Sequence, residues 1–346
     1  KDGAVGAAGT ATSVAGIPLY KSGESIYTHD VSGTDDTAEN NTAYGIRAMD
    51  AITTGDGNVA FGQRALSGDT TGYANVAVGA SAGLGNTTGF NNTFVGSTAG
   101  QSNTEGNYNT LIGNNAGTLI TTGDENIFVG HNAGDGHDTE NHNLGIGNHA
   151  IGGSVAGGEY NVAIGNNTLD ALTSGDSNVA VGYGAGGAIT TGGNNTLIGG
   201  SAGDALTDGS RNTAVGISAL GSETSGVSNT SIGGSALASS NGGNYNTAVG
   251  DQAGVLLTTG DQNTLMGYFA GYNITSASNN VLIGYQAGDG FDTENENVAV
   301  GRHALGGPIA GGEYNVAIGN YSLDALTSGD KNTAVGYNAG TAVTTG

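Results

Sequence analysis

The chain has no cysteine and no tryptophan, and it has only two prolines and seven Lys and Arg residues. Without cysteine there are no disulfides and no thiolate metal sites, although this does not fix the cellular compartment. The seven basic residues stand against 30 Asp and Glu, which gives a formal net charge of -23. Nucleic acid and anionic membranes are poor partners, because both are bound through clustered Lys and Arg. No apolar run reaches the roughly 18 residues of a membrane helix.

Glycine is abundant instead, at 68 of 346 residues. Collagen is excluded, because it needs glycine at every third position and is rich in proline. The glycines of this chain recur in phase with β-branched residues. That regularity favours an ordered repeat over a disordered low-complexity chain.

One five-residue unit recurs along the chain and is typified by residues 161–165, which read Asn-Val-Ala-Ile-Gly. Its spacing is 17 residues, except for two spacings of 18, at Asn143 to Asn161 and at Asn297 to Asn315. A fixed short period without a helical pattern predicts an all-β chain that folds as a parallel β-solenoid of 17-residue coils. The coils begin at Asn41, Asn58, Asn75, Asn92, Asn109, Asn126, Asn143, Asn161, Asn178, Asn195, Asn212, Asn229, Asn246, Asn263, Asn280, Asn297, Asn315 and Asn332.

The repeat divides the chain into three segments. Residues 1–23 are expected to be a linker or a docking segment, and residues 24–40 a degenerate capping coil, because terminal repeats shield an open end. Residues 41–346 are expected to form eighteen coils. Within them, residues 135–186 and 289–340 are nearly the same sequence 154 residues apart, which is a super-repeat of nine coils. The chain starts without Met and ends inside a coil, so we expect a mature or partial protein.

Both sides of the expected strand are apolar. Counting the Asn as position 1, position 4 is always bulky and apolar, and position 2 is Thr, Val, Ile or Leu. These positions share one side of a strand, which we assign to the interior of the coil. Position 3 points the opposite way but is mostly apolar too, so we expect another copy of the chain to cover it. The candidate oligomer-interface residues are Phe94, Leu111, Phe128, Leu197, Leu265 and Leu282.

Other positions are expected to hold the coil together. Position 5 is Gly in every coil, which predicts a turn or a close backbone approach. Position 1 is expected to form a ladder of stacked Asn side chains. Thr-Thr-Gly or Thr-Ser-Gly at positions 13–15 predicts a turn after a second short strand. With about 4.8 Å between coils, eighteen coils would make a rod about 85 Å long. The structural residues of two adjacent coils are Asn161, Ile164, Gly165, Asn178, Val181 and Gly182.

The unit at residues 161–165, followed in most coils by x-x-Ala, resembles the head repeat of trimeric autotransporter adhesins of the YadA type. It is also similar to the Asn-Thr-Ala-Val-Gly arrays of phage tail fibres and related bacterial surface proteins. The resemblance covers residues 41–346, although the 17-residue coil is longer than the usual adhesin-head coil. It implies a left-handed parallel β-roll, assembly as a homotrimeric fibre, and an extracellular place on a cell or virion surface.

Two acidic turns form the first candidate site. Alternating carboxylates on a loop can offer Ca²⁺ the several oxygen ligands that it prefers. They match neither the EF-hand loop nor the nonapeptide calcium repeat, so a charged turn in place of Thr-Thr-Gly is the alternative. No other cofactor is expected. The candidate ligands are Asp135, Asp138 and Glu140, which recur as Asp289, Asp292 and Glu294.

Six histidines raise a second metal hypothesis. A zinc site needs three or four convergent ligands. The matching stretch one super-repeat later keeps only one of the four histidines found between residues 131 and 149. We therefore expect a solvated surface at these residues. The histidines are His29, His131, His137, His142, His149 and His303.

The sequence lacks a cysteine nucleophile and a phosphate-binding loop. The two Gly-x-Ser-x-Gly spacings, at residues 79–83 and 199–203, fall at positions 5–9 of the coil and follow from its repeat. We expect a non-enzymatic shaft or head of a surface fibre or adhesin. Its main partner would be itself, and its target a surface glycan or a host receptor. Two alternatives are a tail-fibre segment that binds or depolymerises polysaccharide, and an ice-binding β-solenoid. The second rests on a threonine row at Thr53, Thr70, Thr87, Thr104 and Thr121.

Overall fold

The computed structural model describes residues 12–14, 17–22, 24–28, 37–153, 157–308 and 311–345. Within these ranges the regular elements are all β-strands, and the rest is turn and bend. From residue 41 onwards each coil contributes one three-residue strand, at positions 2–4. The prediction of an all-β parallel β-solenoid with coils of about 17 residues is confirmed. Across the described residues, no helix is long and apolar enough to cross a membrane.

The chain forms two compact units, Lys1–Ser174 and Gly175–Gly346. We call them the N-terminal unit and the C-terminal unit. The strands of the N-terminal unit are β1 (Thr12–Val14), β2 (Ile17–Ser22), β3 (Ser25–Tyr27), β4 (Thr42–Tyr44), β5 (Val59–Phe61), β6 (Val76–Val78), β7 (Thr93–Val95), β8 (Thr110–Ile112), β9 (Ile127–Val129), β10 (Leu144–Ile146) and β11 (Val162–Ile164).

The C-terminal unit contains ten further strands of three residues each. They are β12 (Val179–Val181), β13 (Thr196–Ile198), β14 (Thr213–Val215), β15 (Thr230–Ile232), β16 (Thr247–Val249), β17 (Thr264–Met266), β18 (Val281–Ile283), β19 (Val298–Val300), β20 (Val316–Ile318) and β21 (Thr333–Val335).

The described residues before the first coil attach to it through strand pairing. Strand β1 pairs with β2 and β2 pairs with β3, both antiparallel. Strand β3 then pairs parallel with β4, and Tyr27 on β3 is fully buried. Residues 29–36, which include His29, lie outside the described residues.

Within each unit the coils stack parallel and in register, so that like residues lie over like. Val59 pairs with Val76 on the next coil, and Thr196 pairs with Thr213. The register holds across an 18-residue spacing, where Leu144 pairs with Val162. The additional residue of that coil is therefore taken up outside the strand.

Glycine at position 5 forms the corner after each strand. Its φ lies between 129° and 147° in the eighteen coils, a region that side chains rarely adopt. At Gly216, a Cβ atom would also lie 2.5 Å from the carbonyl oxygen of Gly233 in the next coil. Backbone conformation and close approach between coils thus both require glycine.

The assignment of position 4 to the interior is wrong. Leu197 at position 3 is 0% exposed within its own chain, whereas Ile198 at position 4 is 41% exposed. Ile164 is likewise 37% exposed and Val181 is half-buried, so neither is a core residue. Alternation places positions 3 and 4 on opposite sides but does not say which side is inside. The six residues assigned to an interface are core residues instead: Phe94, Leu111, Phe128, Leu197, Leu265 and Leu282.

Packing inside the coils depends on compensation between positions 3 and 9. Where position 3 is Ala, position 9 is usually large, as in the pair Ala60 and Leu66. Where position 3 is Leu, position 9 is Gly, as in the pair Leu111 and Gly117. A Cβ atom at Gly117 would lie 2.8 Å from Cδ1 of Leu111. The two positions therefore share one space, which one large side chain fills.

The predicted second strand is also wrong, because each described coil contains one strand only. Positions 7 and 9 adopt left-handed backbone conformations, as at Leu66 with φ of 50°, and this interrupts extended geometry. The backbone beyond them still bonds to the next coil. The N–H groups of Thr53 and Thr54 donate to the carbonyl of Thr70 at 2.9 and 3.1 Å.

The position-5 corner gives a stability prediction. Replacing Gly216 with Ala should lower the free energy of unfolding by about 3 kcal/mol or more, because it adds backbone strain and a clash with Gly233. Urea unfolding followed by far-ultraviolet circular dichroism measures this change. Gly200→Ala is the control, since no atom lies within 4 Å of its added Cβ, and it should change stability by less than about 0.5 kcal/mol. Equal effects would contradict the corner assignment.

Candidate functional site

The position-1 asparagines form a buried ladder that links successive coils. The N–H of Asn195 donates to Oδ1 of Asn178 at 3.1 Å, and Nδ2 of Asn195 donates to the carbonyl of Gly209 at 2.9 Å. In the N-terminal unit, the N–H of Asn161 donates to Oδ1 of Asn143 at 2.9 Å. These amides are fully engaged in holding the backbone, as expected of Asn161 and Asn178.

In each acidic turn, a buried glutamate accepts hydrogen bonds from backbone N–H groups of the turn. Glu140 is buried, and its Oε2 accepts the N–H groups of Asp138 and Thr139 at 2.9 and 3.2 Å. Its Oε1 accepts the N–H of Gly157 at 3.0 Å. Glu294 repeats this arrangement with Asp292, Thr293 and Gly311. Gly157 and Gly311 belong to the 18-residue coils, so each glutamate bonds the backbone of the longer coil that follows its own.

The other carboxylates of these turns have separate surroundings. Asp138 accepts a hydrogen bond from the hydroxyl of Thr121. Asp135 and Asp289 are half-buried with one oxygen lacking a hydrogen-bond partner, and burial raises the pKa of both above the usual value. Among the described residues, no group of three His, Asp or Glu side chains is arranged to hold a metal. The candidate calcium ligands are therefore not assembled into a coordination shell.

The surface histidines near residue 140 also have separate partners. His142 Nδ1 lies 3.2 Å from Glu125 Oε2, and its ring stacks on Tyr160 at 4.9 Å between centroids. The rings of His131 and His149 are 5.9 Å apart on adjacent coils. These contacts are pairwise and give no convergent ligand set.

The threonine row at position 13 is part of the inter-coil bonding. The Oγ1 atoms of Thr53, Thr70 and Thr87 each donate to the position-13 carbonyl of the next coil at 2.9 Å. Since these hydroxyls are half-buried and already bonded, they are poorly placed to order surface water.

His137 is buried in the apolar interior of its coil. It is 0% exposed, neither ring nitrogen has a hydrogen-bond partner, and its ring centroid lies 4.8 Å from that of Phe128. Burial lowers the pKa of His137 to about 3, because the charged imidazolium loses its solvation. The corresponding residue one super-repeat later is Phe291, which is also fully buried.

His137 lies at position 12 of its coil. The position-12 side chains of successive coils form an inward-facing column, which includes other polar residues. Asp69, Asn86 and Asn103 occupy it in three consecutive coils and are fully buried. Nδ2 of Asn103 donates to Oδ1 of Asn86 at 2.6 Å, and the N–H of Gly72 donates to Oδ1 of Asp69 at 2.8 Å. Burial raises the pKa of Asp69 to about 7, although hydrogen bonds from Gly72, Asn86 and Asn75 oppose the rise. The interior thus holds a carboxyl group that titrates near neutral pH.

Glu223 occupies the same column in the C-terminal unit and is also fully buried. Its Oε1 accepts the N–H groups of Gly226 and Gly242 at 2.6 and 2.7 Å. Its Oε2 accepts the hydroxyl of Ser240 at 2.7 Å. The carboxylate is therefore satisfied by its own turn and by the next coil.

A continuous row of rings lies on the surface of the C-terminal unit. We call it the aromatic strip: Tyr268, Phe269, Tyr285, Arg302, His303 and Tyr321, all at positions 6 and 7 of four consecutive coils. Tyr268 and Tyr285 stack with 5.6 Å between centroids, and the His303 and Tyr321 rings stack at 5.4 Å. Cζ of Arg302 lies 5.6 Å from the centroid of Tyr285 and 5.5 Å from that of Tyr321.

The same positions in the preceding super-repeat block are mostly polar. One block earlier, Asn114 stands in place of Tyr268, His131 in place of Tyr285, and Asn167 in place of Tyr321. Some buried residues of the two blocks are the same, as Leu111 and Leu265 show, and others differ, as Phe128 and Leu282 show. The coils of Leu111 and Leu265 therefore carry different surface residues on matching interiors.

Sequence reasoning missed both the polar column and the aromatic strip. The column was visible as Asp69, His137 and Glu223 in a position that is Ile or Leu in eight coils. The strip was visible as a run of aromatic residues in one super-repeat block where the other has Asn. Both signals are departures from the repeat, whereas the repeat itself predicts only the positions that recur in every coil.

The buried histidine predicts acid sensitivity. Below pH 6.5 the unfolded chain takes up a proton at His137, whereas the folded chain does not until about pH 3. Stability is therefore lost as the pH falls through this window. His137→Phe should raise the free energy of unfolding at pH 5 by about 2 kcal/mol more than at pH 8. Hydrogen–deuterium exchange of residues 126–142 at the two pH values measures the difference.

His131→Tyr is the matched control for this experiment, because the residue is exposed and Tyr285 occupies its place one block later. It should leave the pH dependence unchanged. A gain in His137→Phe that is the same at both pH values would contradict the proposed proton linkage.

The buried carboxyl predicts the opposite trend at higher pH. Between about pH 4 and pH 7 the folded chain holds a proton on Asp69 that the unfolded chain releases, so stability is lost as the pH rises through this window. Asp69→Asn reproduces the residue found at Asn86 and should stabilise the chain by about 4 kcal/mol at pH 8, with little effect at pH 4. Urea unfolding at both pH values tests this, with the exposed Asp56→Asn as control. Gains that do not depend on pH would refute it.

No protein-family model matches the chain. A search among curated proteins also finds no match.

Proposed function

We propose that the chain is a non-catalytic, self-associating β-solenoid that serves as the shaft or head of a fibre on the outside of a bacterial cell or virion. The observation that carries this proposal is the outward side of the strands. We call it the strand face, meaning the side chains at positions 2 and 4. In the C-terminal unit its exposed residues include Ile198, Ile232, Met266 and Ile318, each between 39% and 41% exposed.

The size of the strand face supports self-association. A fully exposed Val or Ile side chain offers roughly 100 Å² of apolar surface. At about 40% exposure, the position-4 side chains of the ten coils of the C-terminal unit give roughly 400 Å², and the methyl groups of Val and Thr at position 2 add to this area. Monomeric soluble proteins rarely expose a contiguous apolar patch above a few hundred Å², and a standard stable interface buries about 800 Å² per partner.

A second copy of this chain is the proposed occupant of the strand face. The face repeats coil by coil, so an identical face can match it along its length. The copy number of three and the left-handed turn of the coils come from the resemblance to trimeric adhesin heads and tail-fibre arrays. The resemblance also supports the extracellular location. The net charge of -23 would keep assembled particles apart in solution.

The proposal of a non-catalytic role is supported by the hydrogen-bond and ion-pair partners of the polar side chains. The buried carboxylates Glu140, Glu223 and Glu294 accept backbone N–H groups. The exposed histidine His142 pairs with a carboxylate on the surface. A structural role accounts for each of these groups, which favours a rod that displays contact surfaces.

The two sides of the strand give a paired prediction. Changing Ile198, Ile232 and Met266 together to Asp should dissociate the oligomer and leave the coils folded, because it places like charges in the apolar contact. Multi-angle light scattering measures the mass, and circular dichroism measures the fold. Leu197→Asp should instead unfold its coil, at a cost of more than about 4 kcal/mol, because it buries an unpaired charge.

Two outcomes would contradict self-association through the strand face. One is a wild-type chain that is monomeric at tens of micromolar. The other is a triple Asp variant that keeps the wild-type mass. If Leu197→Asp were as stable as the wild type, the corrected assignment of the interior would fail as well.

A further inference from the structure

The aromatic strip is not required by the scaffold that carries it. Coil 109–125 and coil 263–279 share the same interior residues at positions 3, 9 and 12, which are Leu, Gly and Ile in both. On the surface, the first has Asn114 and the second has Tyr268. Since the same kind of coil folds with an amide at this position, packing does not explain the ring.

The chemistry of the strip suits an amphipathic ligand. Tyr268 and Tyr285 are 44% and 45% exposed, and each combines an apolar ring with a hydroxyl group. The guanidinium of Arg302, held beside Tyr285 and Tyr321, adds hydrogen-bond donors in the middle of the row. The rings recur once per coil, so a ligand that repeats along its own length would meet the same groups at each step.

Size and charge exclude the main alternatives. The exposed parts of four rings amount to roughly 300 Å², well below the about 800 Å² per partner of a stable protein interface. The net charge of -23 opposes nucleic acid. A second copy of the chain is a poor occupant, because the strip spans four coils and its counterpart one block earlier is polar.

We propose that the aromatic strip binds a neutral glycan chain lying along the stack of coils. The C–H faces of the sugar rings would pack on the tyrosines, and the sugar hydroxyls would accept hydrogen bonds from Arg302 and the tyrosine hydroxyls. This inference rests on the proposed display role and adds the ligand class to it. It also accounts for the different surfaces of coils 109–125 and 263–279, which share the same interior residues.

Saturation-transfer NMR on the full chain tests the proposal. The probes are cellohexaose, maltohexaose, mannohexaose and chitohexaose, with irradiation at the aromatic protons of the protein. At least one probe should receive saturation at its ring C–H protons. In the variant Tyr268→Asn, Tyr285→His and Tyr321→Asn, which carries the residues of the preceding block, the signal should fall more than tenfold.

Tyr245→Asn is the matched control, because Tyr245 is 58% exposed but lies at position 17, outside the strip. It should bind as the wild type does. Circular dichroism and light scattering on the triple variant should show unchanged fold and mass. A monomeric wild type that still binds sugar would refute self-association while leaving the glycan site standing.

Three results would overturn the glycan proposal. The first is that no probe binds the wild type. The second is that the triple variant binds as well as the wild type. The third is that the triple variant loses its oligomeric mass, which would assign the strip to contacts between copies. Binding of hexalysine at the strip in place of every sugar would likewise refute it in favour of a basic protein partner.

Discussion

The bond from each position-1 N–H to the Asn side chain of the preceding coil is the interaction on which the coil geometry depends. In a parallel stack the turn before the strand leaves a buried N–H that the strand ladder does not reach. Oδ1 of Asn178 accepts this N–H from Asn195, and Nδ2 of Asn195 bonds the carbonyl of Gly209. Losing such a partner would leave a buried donor unsatisfied, at about 1–3 kcal/mol. The Asn side chain therefore both fixes the register between coils and closes its own coil.

The tight stack leaves a narrow interior, and that explains both its packing and its tolerance of polar groups. Positions 3 and 9 share one space, so Leu111 requires Gly117, and Ala60 leaves room for Leu66. Position 12 lies beside the turn at positions 13–15, where backbone N–H groups are within reach. A carboxylate such as Glu223 can therefore be buried and satisfied there, whereas His137 in the same column finds no partner. The free-energy cost of burying His137 therefore depends on pH, because the buried ring stays neutral while the unfolded chain is protonated.

The period, the corner glycines and the Asn ladder could be predicted from the sequence, because each follows from a residue type that recurs in phase. The inside of the strand could not be predicted by alternation alone, since Leu197 and Ile198 are both apolar. The deciding signal is that positions 3 and 9 compensate in size: position 9 is large beside Ala60 and is Gly beside Leu111. Position 4 shows no such compensation. The absence of a second strand could not be predicted, because residues such as Leu66 adopt left-handed conformations. In a sequence, only glycine indicates such a conformation. The aromatic strip required comparing the two blocks surface by surface.

A repeat whose interior is fixed can change its surface at little cost. Because backbone bonds and positions 1, 3, 5 and 9 determine the coil, side chains at positions 6 and 7 contribute little to folding. Asn114 and Tyr268 occupy the same place on coils with the same interior. By contrast, position 4 stays apolar from coil to coil although it is exposed or half-exposed in the single chain. A surface that stays apolar through every coil indicates a contact that every coil makes, and a surface that differs between blocks indicates a ligand met at one place. Under the two proposals, assembly and recognition belong to different columns of the coil.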